Sequence, residues 1–199
     1  MSDQKLIVFL KAPRPGTVKT RLAAALGAAE ACVAYRHLVE TLLRQLASLE
    51  DVELRFTPDG AGSEIKPWAQ PTWRLTGQGD GDLGSRLDRA FRQAFGEGAK
   101  RVAVVGSDCP EVRTTDIEAA WRALLSHDVA IGPAIDGGYW LIGLRRPHPE
   151  LFEHVRWSTN HVMQDTLERC RAAGLGTCLL RELADVDTEE DWRRFLAKA

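Results

Sequence analysis

The sequence has little cysteine and no long apolar run. Its four cysteines, at positions 32, 109, 170 and 178, form no C-x-x-C pair, and a chain of this size does not need disulfides to stabilise a core. We therefore expect reduced thiols with structural roles, no zinc site and a cytoplasmic location. The first apolar run, residues 6–10, is too short for a signal peptide or a membrane span. We expect no membrane insertion.

The chain also lacks an excess of charge of either sign. It has 26 Lys and Arg against 28 Asp and Glu, which gives a formal net charge of -2. No long-range field would therefore attract nucleic acid, although local basic clusters can still bind phosphates. With 44% hydrophobic residues, the composition is typical of one globular domain that covers residues 1–199.

Strand and helix patterns alternate along the chain. Residues 6–10 (LIVFL) are typical of a strand buried on both faces, and apolar residues at every third or fourth position predict a long helix over 28–49. Thr115 and Glu118 have the capping-box spacing and predict a helix that starts there. Further strands are predicted at 52–57, 73–76, 101–106, 129–132, 139–144 and 177–180, and further helices at 83–95, 159–170 and 188–196. This alternation predicts an α/β fold with a parallel sheet, helices on both faces and ligands beyond the carboxyl ends of the strands.

Positive charge is concentrated in the loop that follows the first strand. Lys11, Arg14, Lys19 and Arg21 lie within eleven residues, and we expect Lys19 and Arg21 to be exposed to solvent. Gly16 lets backbone amides approach a ligand, and the next helix adds the dipole of its N-terminus. The loop is not a Walker A motif, because it has no G-K-T sequence. It suits a polyphosphate, and the alternative is a solvated basic turn.

Two aspartates are candidate ligands of a divalent cation. Asp108, in the GSDCP loop directly after a buried strand, has a fixed backbone and an open front, which suits Mg²⁺ or Mn²⁺ bound to phosphate oxygens. A single carboxylate holds such an ion weakly, so a partner is expected, and Asp187 before the last helix is a candidate. The alternatives are a turn or N-cap role for Asp108 and a helix-capping role for Asp187.

The loop at residues 132–143 carries an aspartate before a glycine pair. Asp136 is either a turn residue or a group that binds or deprotonates the hydroxyls of an acceptor. Gly137 and Gly138 would let that acceptor approach the backbone. We expect this loop to face Asp108 at the edge of the sheet.

A competing motif is G-x-G-x-x-G at residues 79–84, which is typical of dinucleotide-binding proteins. Here Asp80 and Asp82 would place negative charge where a pyrophosphate would bind, and the preceding strand is short and polar. We therefore predict that the segment from Gln78 to Arg86 lines the base or sugar of a nucleotide, with Gln78, Gly79 and Asp82 as contacts, unless the segment is only a tight turn.

Six blocks together resemble a known family: KAPRPGTVKTRL, GDLGSRL, GSDCP, GPAIDGGYWLIGL, RWSTNHV and DVDTEEDW. They are similar to bacterial transferases of unknown specificity that are related to nucleotide-diphospho-sugar transferases and share the glycosyltransferase A fold. The resemblance implies a mixed, mainly parallel sheet. It also implies a phosphate-binding loop formed by Lys11, Gly16, Lys19 and Arg21.

The same resemblance bears on the metal site. It implies Asp108 as a metal ligand and Asp187 as the second, in the place of the late Asp or Asn of the molybdenum-cofactor and phospholactate nucleotidylyltransferases. Asp185 is a near alternative. GSDCP departs from the D-x-D motif of glycosyltransferases.

Three functions remain as hypotheses, since a fold does not determine a reaction. The favoured one is nucleotidylyl transfer from a nucleoside triphosphate to a small phosphorylated acceptor, in which Lys19 and Arg21 stabilise the departing pyrophosphate. Four cations suit a triphosphate, and the chain leaves little room for an acceptor domain. The second is glycosyl transfer from a nucleotide-sugar, with Asp136 acting on the acceptor. The third is a non-catalytic nucleotide-binding module.

Overall fold

A computed structural model describes residues 3–198, and the strands of this part of the chain form one seven-stranded sheet. In spatial order the strands are β3-β2-β1-β4-β6-β5-β7. Their bounds are β1 Gln4–Lys11, β2 Val52–Thr57, β3 Arg74–Gly77, β4 Arg101–Val105, β5 Val129–Pro133, β6 Tyr139–Leu144 and β7 Thr177–Leu179.

Helices connect most of these strands. Their bounds are α1 Thr20–Leu26, α2 Ala28–Gln45, α3 Gly62–Ile65, α4 Leu83–Gly96, α5 Thr114–Ala123, α6 Val162–Ala172 and α7 Glu189–Leu196. None of the helices within residues 3–198 is long and apolar enough to cross a membrane.

Only β6 runs against its neighbours among the described strands. It is antiparallel to both β4 and β5, whereas the other strand pairs are parallel. The carboxyl ends of β1 and β4 and the first residues of β6 therefore meet at one edge of the sheet. This mixed, mainly parallel arrangement confirms the predicted fold class.

The sheet has a core on each face. Along β1, Leu6, Val8 and Leu10 pack on the side of α2 and α5, while Ile7 and Phe9 pack on the side of α4 and α6. Both sets are buried, because helices cover both faces, as the continuous apolar run predicts. All four cysteines are free thiols.

Several predicted helix boundaries are wrong. Thr115 and Glu118 do not cap α5: the helix starts after Arg113, whose backbone N–H donates to the Asp116 carboxylate at 2.8 Å. Arg181 also binds Asp116, at 2.6 Å, so a tertiary contact helps to fix this helix start. The second helix ends at position 45 rather than 49, and the sixth starts at 162 rather than 159.

Candidate active site

A cleft of about 910 Å³ opens at the edge of the sheet where β1 and β4 end and β6 begins. The residues predicted for the site that line it are Lys11, Lys19, Arg21, Gln78, Asp108, Asp136, Gly138 and Asp187. The topology brings these residues together from five separate segments of the chain.

Asp108 and Asp187 converge on one ammonium group. The Lys19 Nζ atom forms an ion pair with Asp108 and donates a hydrogen bond to Asp187 at 2.9 Å. Burial alone would lower the pKa of Lys19, but the charges of Asp108 and Asp187 outweigh it and raise that pKa above its ordinary value. The two carboxylates are distant in sequence but lie close together, on either side of the Lys19 ammonium.

Local backbone structure explains why the side chains of Lys19, Asp108 and Asp187 meet at the cleft. Lys19 precedes α1 in a left-handed conformation, with φ of 48°. Thr188 rather than Asp187 caps α7, accepting a hydrogen bond from the Asp191 N–H at 3.2 Å. The Val186 N–H donates to the Asp108 carbonyl at 2.9 Å, which ties the two acidic segments together. The Asp187 carboxylate is thus free to face the cleft.

Lys19, which precedes α1, and Arg21, which lies in its first turn, differ in their exposure to solvent. The Arg21 side chain is 70% exposed and its Nη1 lies 3.6 Å from Asp187. The Lys19 side chain is only 3% exposed, so the expectation that it is solvent-exposed is wrong. Its two carboxylate partners compensate for the lost hydration of the ammonium.

Tyr35 and Ser107 join the two strand ends beneath the cleft. The Tyr35 hydroxyl accepts from the Lys11 N–H at 2.8 Å, donates to the Lys11 carbonyl at 3.1 Å and lies 3.3 Å from Ser107 Oγ. Burial raises the pKa of Tyr35 to about 12, so the hydroxyl stays neutral. The sequence pattern placed Tyr35 among the apolar residues of the long helix. The hydroxyl group of a tyrosine at such a position is the one signal that could have indicated this role.

Acidic groups dominate the side of the cleft next to β6. The Asp136 carboxylate accepts from the Gly138 N–H at 2.8 Å, which is the turn role considered above, yet it also lines the cleft. Asp185 joins Asp108, Asp136 and Asp187 around an adjoining cavity of about 140 Å³. Burial, with the charges of Asp136 and Asp187, raises the pKa of Asp185 to about 6.

The structure does not bring Arg14 or Gly16 to the lining of the cleft. The Arg14 guanidinium is bound by Glu64 at 2.6 Å, on the exterior of the loop. Gly16 has a φ of +81°, and a Cβ at this residue would have no other atom within 4 Å, as in an exposed turn. Phosphate contacts from these two residues therefore need a loop rearrangement.

Gly79, Asp82 and Gly137 also lie outside the lining, and each has a local structural partner. The Gly79 N–H donates to Asp59 at 3.0 Å, and Asp82 caps α4 by accepting from the Ser85 N–H at 2.9 Å. Gly137 packs directly against the Asn160 backbone. Gly79 and Asp82 thus make turn and helix-cap contacts, while Leu83 of the same motif and the neighbouring Gln78 and Arg86 line the cleft.

One wall of the cleft is formed by residues 157–160, to which the sequence assigned no role. Arg156 binds Asp165 at 2.6 Å and 3.0 Å and so anchors the start of this segment. At its other end the Met163 N–H donates to the Gly137 carbonyl at 3.0 Å. The conspicuous block RWSTNHV was the available signal. Arg86 on α4, the last residue of the segment predicted to line the base or sugar, also lines the cleft.

The residues present fit a divalent cation that is shared with a ligand. Within residues 3–198 no group of three or more His, Cys, Asp or Glu side chains is arranged to hold a metal. Mg²⁺ needs fewer, because it commonly binds one or two carboxylates and completes its shell with substrate phosphates and water. Asp108 and Asp187 provide such a pair.

Comparisons with known proteins agree with this architecture. The family described as an uncharacterized protein conserved in bacteria (DUF2064) matches residues 41–159. The structure of a "putative nucleotide-diphospho-sugar transferase" from Desulfovibrio desulfuricans G20 is 39% identical, with a TM-score of 0.88, and the match covers 94% of this chain and 84% of that one. None of the curated proteins matches.

More distant structures share the fold alone. CMP:2-keto-3-deoxy-manno-octonic acid synthetase complexed with CTP is 14% identical, with a TM-score of 0.59 and coverage of 99% of both chains. Rv0371c complexed with manganese from Mycobacterium tuberculosis H37Rv is 17% identical, with a TM-score of 0.58 and coverage of 98% of this chain and 100% of that one. On its sequence and its fold, the chain belongs to the DUF2064 family, in the nucleotide-diphospho-sugar transferase superfamily.

Proposed function

We propose that this protein is a metal-dependent transferase that moves a nucleotidyl group from a nucleoside triphosphate to a small acceptor. The observation that carries the proposal is the meeting of Asp108 and Asp187 at Lys19, at the end of a cleft that Lys11 and Arg21 also line. Paired carboxylates beside several cations suit a polyphosphate with a divalent ion.

The cations would act on the leaving group. In nucleotidylyl transfer an acceptor oxygen attacks the α-phosphorus, the bond to the bridging oxygen breaks, and pyrophosphate departs with the added negative charge. Lys11, Lys19 and Arg21 would bind that charge as it develops. Because Arg14 is held by Glu64, three cations rather than four serve this role.

Asp108 and Asp187 would hold the divalent ion, for which we propose Mg²⁺ or Mn²⁺. When bound, such an ion neutralises phosphate charge and polarises the phosphoryl oxygens. The manganese complex of Rv0371c, which has the same fold, and the CTP complex of the octonic acid synthetase support this assignment. Gln78 lines the cleft, and its side-chain amide donates to the carbonyls of Leu10 and Arg55, each at 3.0 Å. It is the proposed contact for the base or sugar of the nucleotide.

The acidic side of the cleft is the proposed acceptor side. Asp136 and Gly138 line the cleft, as do the wall residues 157–160. Asp136 would bind or deprotonate an acceptor hydroxyl.

Glycosyl transfer from a nucleotide-sugar is the second candidate. The 39% identical relative carries the name of a nucleotide-diphospho-sugar transferase, which favours this reaction, as does a carboxylate at the acceptor side. Here the leaving group is a nucleoside diphosphate, so no protein group needs to reach a γ-phosphate.

The products of slow hydrolysis separate the two reactions, because water can replace the acceptor. We expect the protein with Mg²⁺ or Mn²⁺ to convert a nucleoside triphosphate to the monophosphate and pyrophosphate, and Asp108→Asn to lose this activity. Release of nucleoside diphosphate from a nucleotide-sugar, with no pyrophosphate from any triphosphate, would assign glycosyl transfer instead.

A further inference from the structure

The Lys19 ammonium lies where a cation shared by Asp108 and Asp187 would lie. It contacts Oδ1 of both carboxylates, and its side chain is 3% exposed. Among residues 3–198, Arg21 is a second cation within ion-pair distance of Asp187, at 3.6 Å, and its side chain is 70% exposed. One of the two cations is thus inserted between the carboxylates and the other remains outside them.

We infer that Lys19 is a positioning residue that holds Asp108 and Asp187 together in the free protein, and that a divalent ion binds the pair only when nucleotide phosphates draw Lys19 away. The inference rests on the proposed function, since it needs a metal at these two carboxylates. It adds an order of binding and a second role for Lys19.

The charges explain why the ammonium and the ion exclude each other. A lysine positive charge and a dication held by the same two carboxylates would repel strongly, because they would lie within a few ångströms of each other in a partly buried site. With the ammonium in place, the cluster of two carboxylates and one ammonium has a net charge of about -1. Without the ammonium the pair has a charge of about -2, so the ammonium weakens the attraction for a dication. Arg21 weakens that attraction much less, because its guanidinium is exposed and solvent screens its charge.

The phosphates supply the alternative partner. Lys19 lies on the cationic loop and lines the same cleft as Lys11 and Arg21, so phosphates bound there would offer its ammonium a new set of oxygens. The carboxylates would then be left to the ion that the phosphates also bind. Binding of metal and nucleotide would therefore be coupled, and by linkage each would strengthen the other.

Binding of Mn²⁺ alone to the nucleotide-free protein tests this inference by isothermal titration. We expect Lys19→Met to bind Mn²⁺ at least about tenfold more tightly than the wild type, because the competing charge is gone. Arg21→Met is the matched control, which removes a cation beside the same carboxylate, and its affinity should stay within about twofold of the wild type. Adding Asp108→Asn to Lys19→Met should remove the gain.

Melting curves show whether each variant is folded, and Lys19→Gln replaces Lys19→Met if the latter is not. Equal or weaker Mn²⁺ binding by the folded Lys19 variant overturns the inference, and so does an equal gain in Arg21→Met. A gain that survives Asp108→Asn also overturns it, because the ion then binds elsewhere. The proposed function fails on a different result, namely metal-dependent nucleotide binding that Asp108→Asn leaves unchanged in the wild-type background.

Discussion

Asp185 is a single residue whose charge costs the fold stability. Burial and the nearby charges of Asp136 and Asp187 raise its pKa from the ordinary value of 3.8 to about 6. The folded state therefore holds this proton more tightly than the unfolded state, and stability falls as the pH rises between these two values. Above pH 6 the penalty is fully present.

Replacement of this carboxylate should therefore stabilise the protein. We expect Asp185→Asn, in metal-free buffer at neutral pH, to raise the free energy of unfolding by on the order of 1 kcal/mol, a value reduced for partial solvent screening. The gain should vanish below about pH 4, where both states are protonated. Urea denaturation at the two pH values measures it, with the exposed Glu182→Gln as control. A loss of stability at neutral pH would show that the Asp185 carboxylate makes stabilising contacts.

At the scale of elements, the start of α4 tests whether Asp82 is a cap or a ligand contact. Asp82 accepts from the Ser85 N–H and hydroxyl, at 2.9 Å and 2.7 Å. We expect Asp82→Ala to cost about 1 kcal/mol of stability, as is typical of a lost N-cap, and to leave nucleotide affinity unchanged. Asp80→Ala, two positions earlier on the same exposed loop, should change neither. Weaker nucleotide binding at unchanged stability would restore the ligand-contact hypothesis.

The contact between the β5–β6 loop and the wall at residues 157–160 is a second element-scale feature. Gly137 has a φ of +89°, and a Cβ there would overlap the Asn160 carbonyl. Gly98 has a φ of +96° and open space around it, so Gly98→Ala has the backbone strain without the overlap.

We therefore expect Gly137→Ala to lower the free energy of unfolding by at least about 1 kcal/mol more than Gly98→Ala does. Thermal denaturation of both variants gives the comparison. Equal losses would mean that residues 157–160 move aside without cost, and this segment would then not be a fixed wall.

The sequence predicted whether a segment is a helix or a strand wherever the spacing of its apolar residues was regular. It did not predict the residues at which the helices begin and end. The apolar runs of β1 and β4 and the helical stripe of α2 needed only local pattern. The start of α5 depends on Arg181, which binds Asp116 at 2.6 Å from a distant segment, and no local pattern contains that contact. The predicted start of α6 at residue 159 is too early, because residues 157–160 form the irregular wall of the cleft and the helix begins at Val162.

For the whole molecule, the parallel-sheet rule predicted which loops meet but not how their side chains pair. It brought the loops after β1 and β4 to one edge, where Lys19 and Asp108 lie. The direct contact of Lys19 with both aspartates was not foreseen, because it depends on the left-handed backbone at Lys19. The ion pair between Arg14 and Glu64 could not be predicted either, because it depends on where α3, which carries Glu64, packs in the fold.

The central claim for the whole molecule is that Asp108 and Asp187 bind a nucleoside triphosphate through a shared divalent ion. The most direct measurement is the melting temperature of wild type and Asp108→Asn with each common nucleoside triphosphate, with and without Mg²⁺ or Mn²⁺. We expect one triphosphate with metal to stabilise the wild type by about 2.7 kcal/mol at one hundred times its dissociation constant. We expect Asp108→Asn to fold normally and to lose the metal-dependent part of that gain. A gain that Asp108→Asn retains in full, or no metal-dependent gain in the wild type with any triphosphate, would contradict the account.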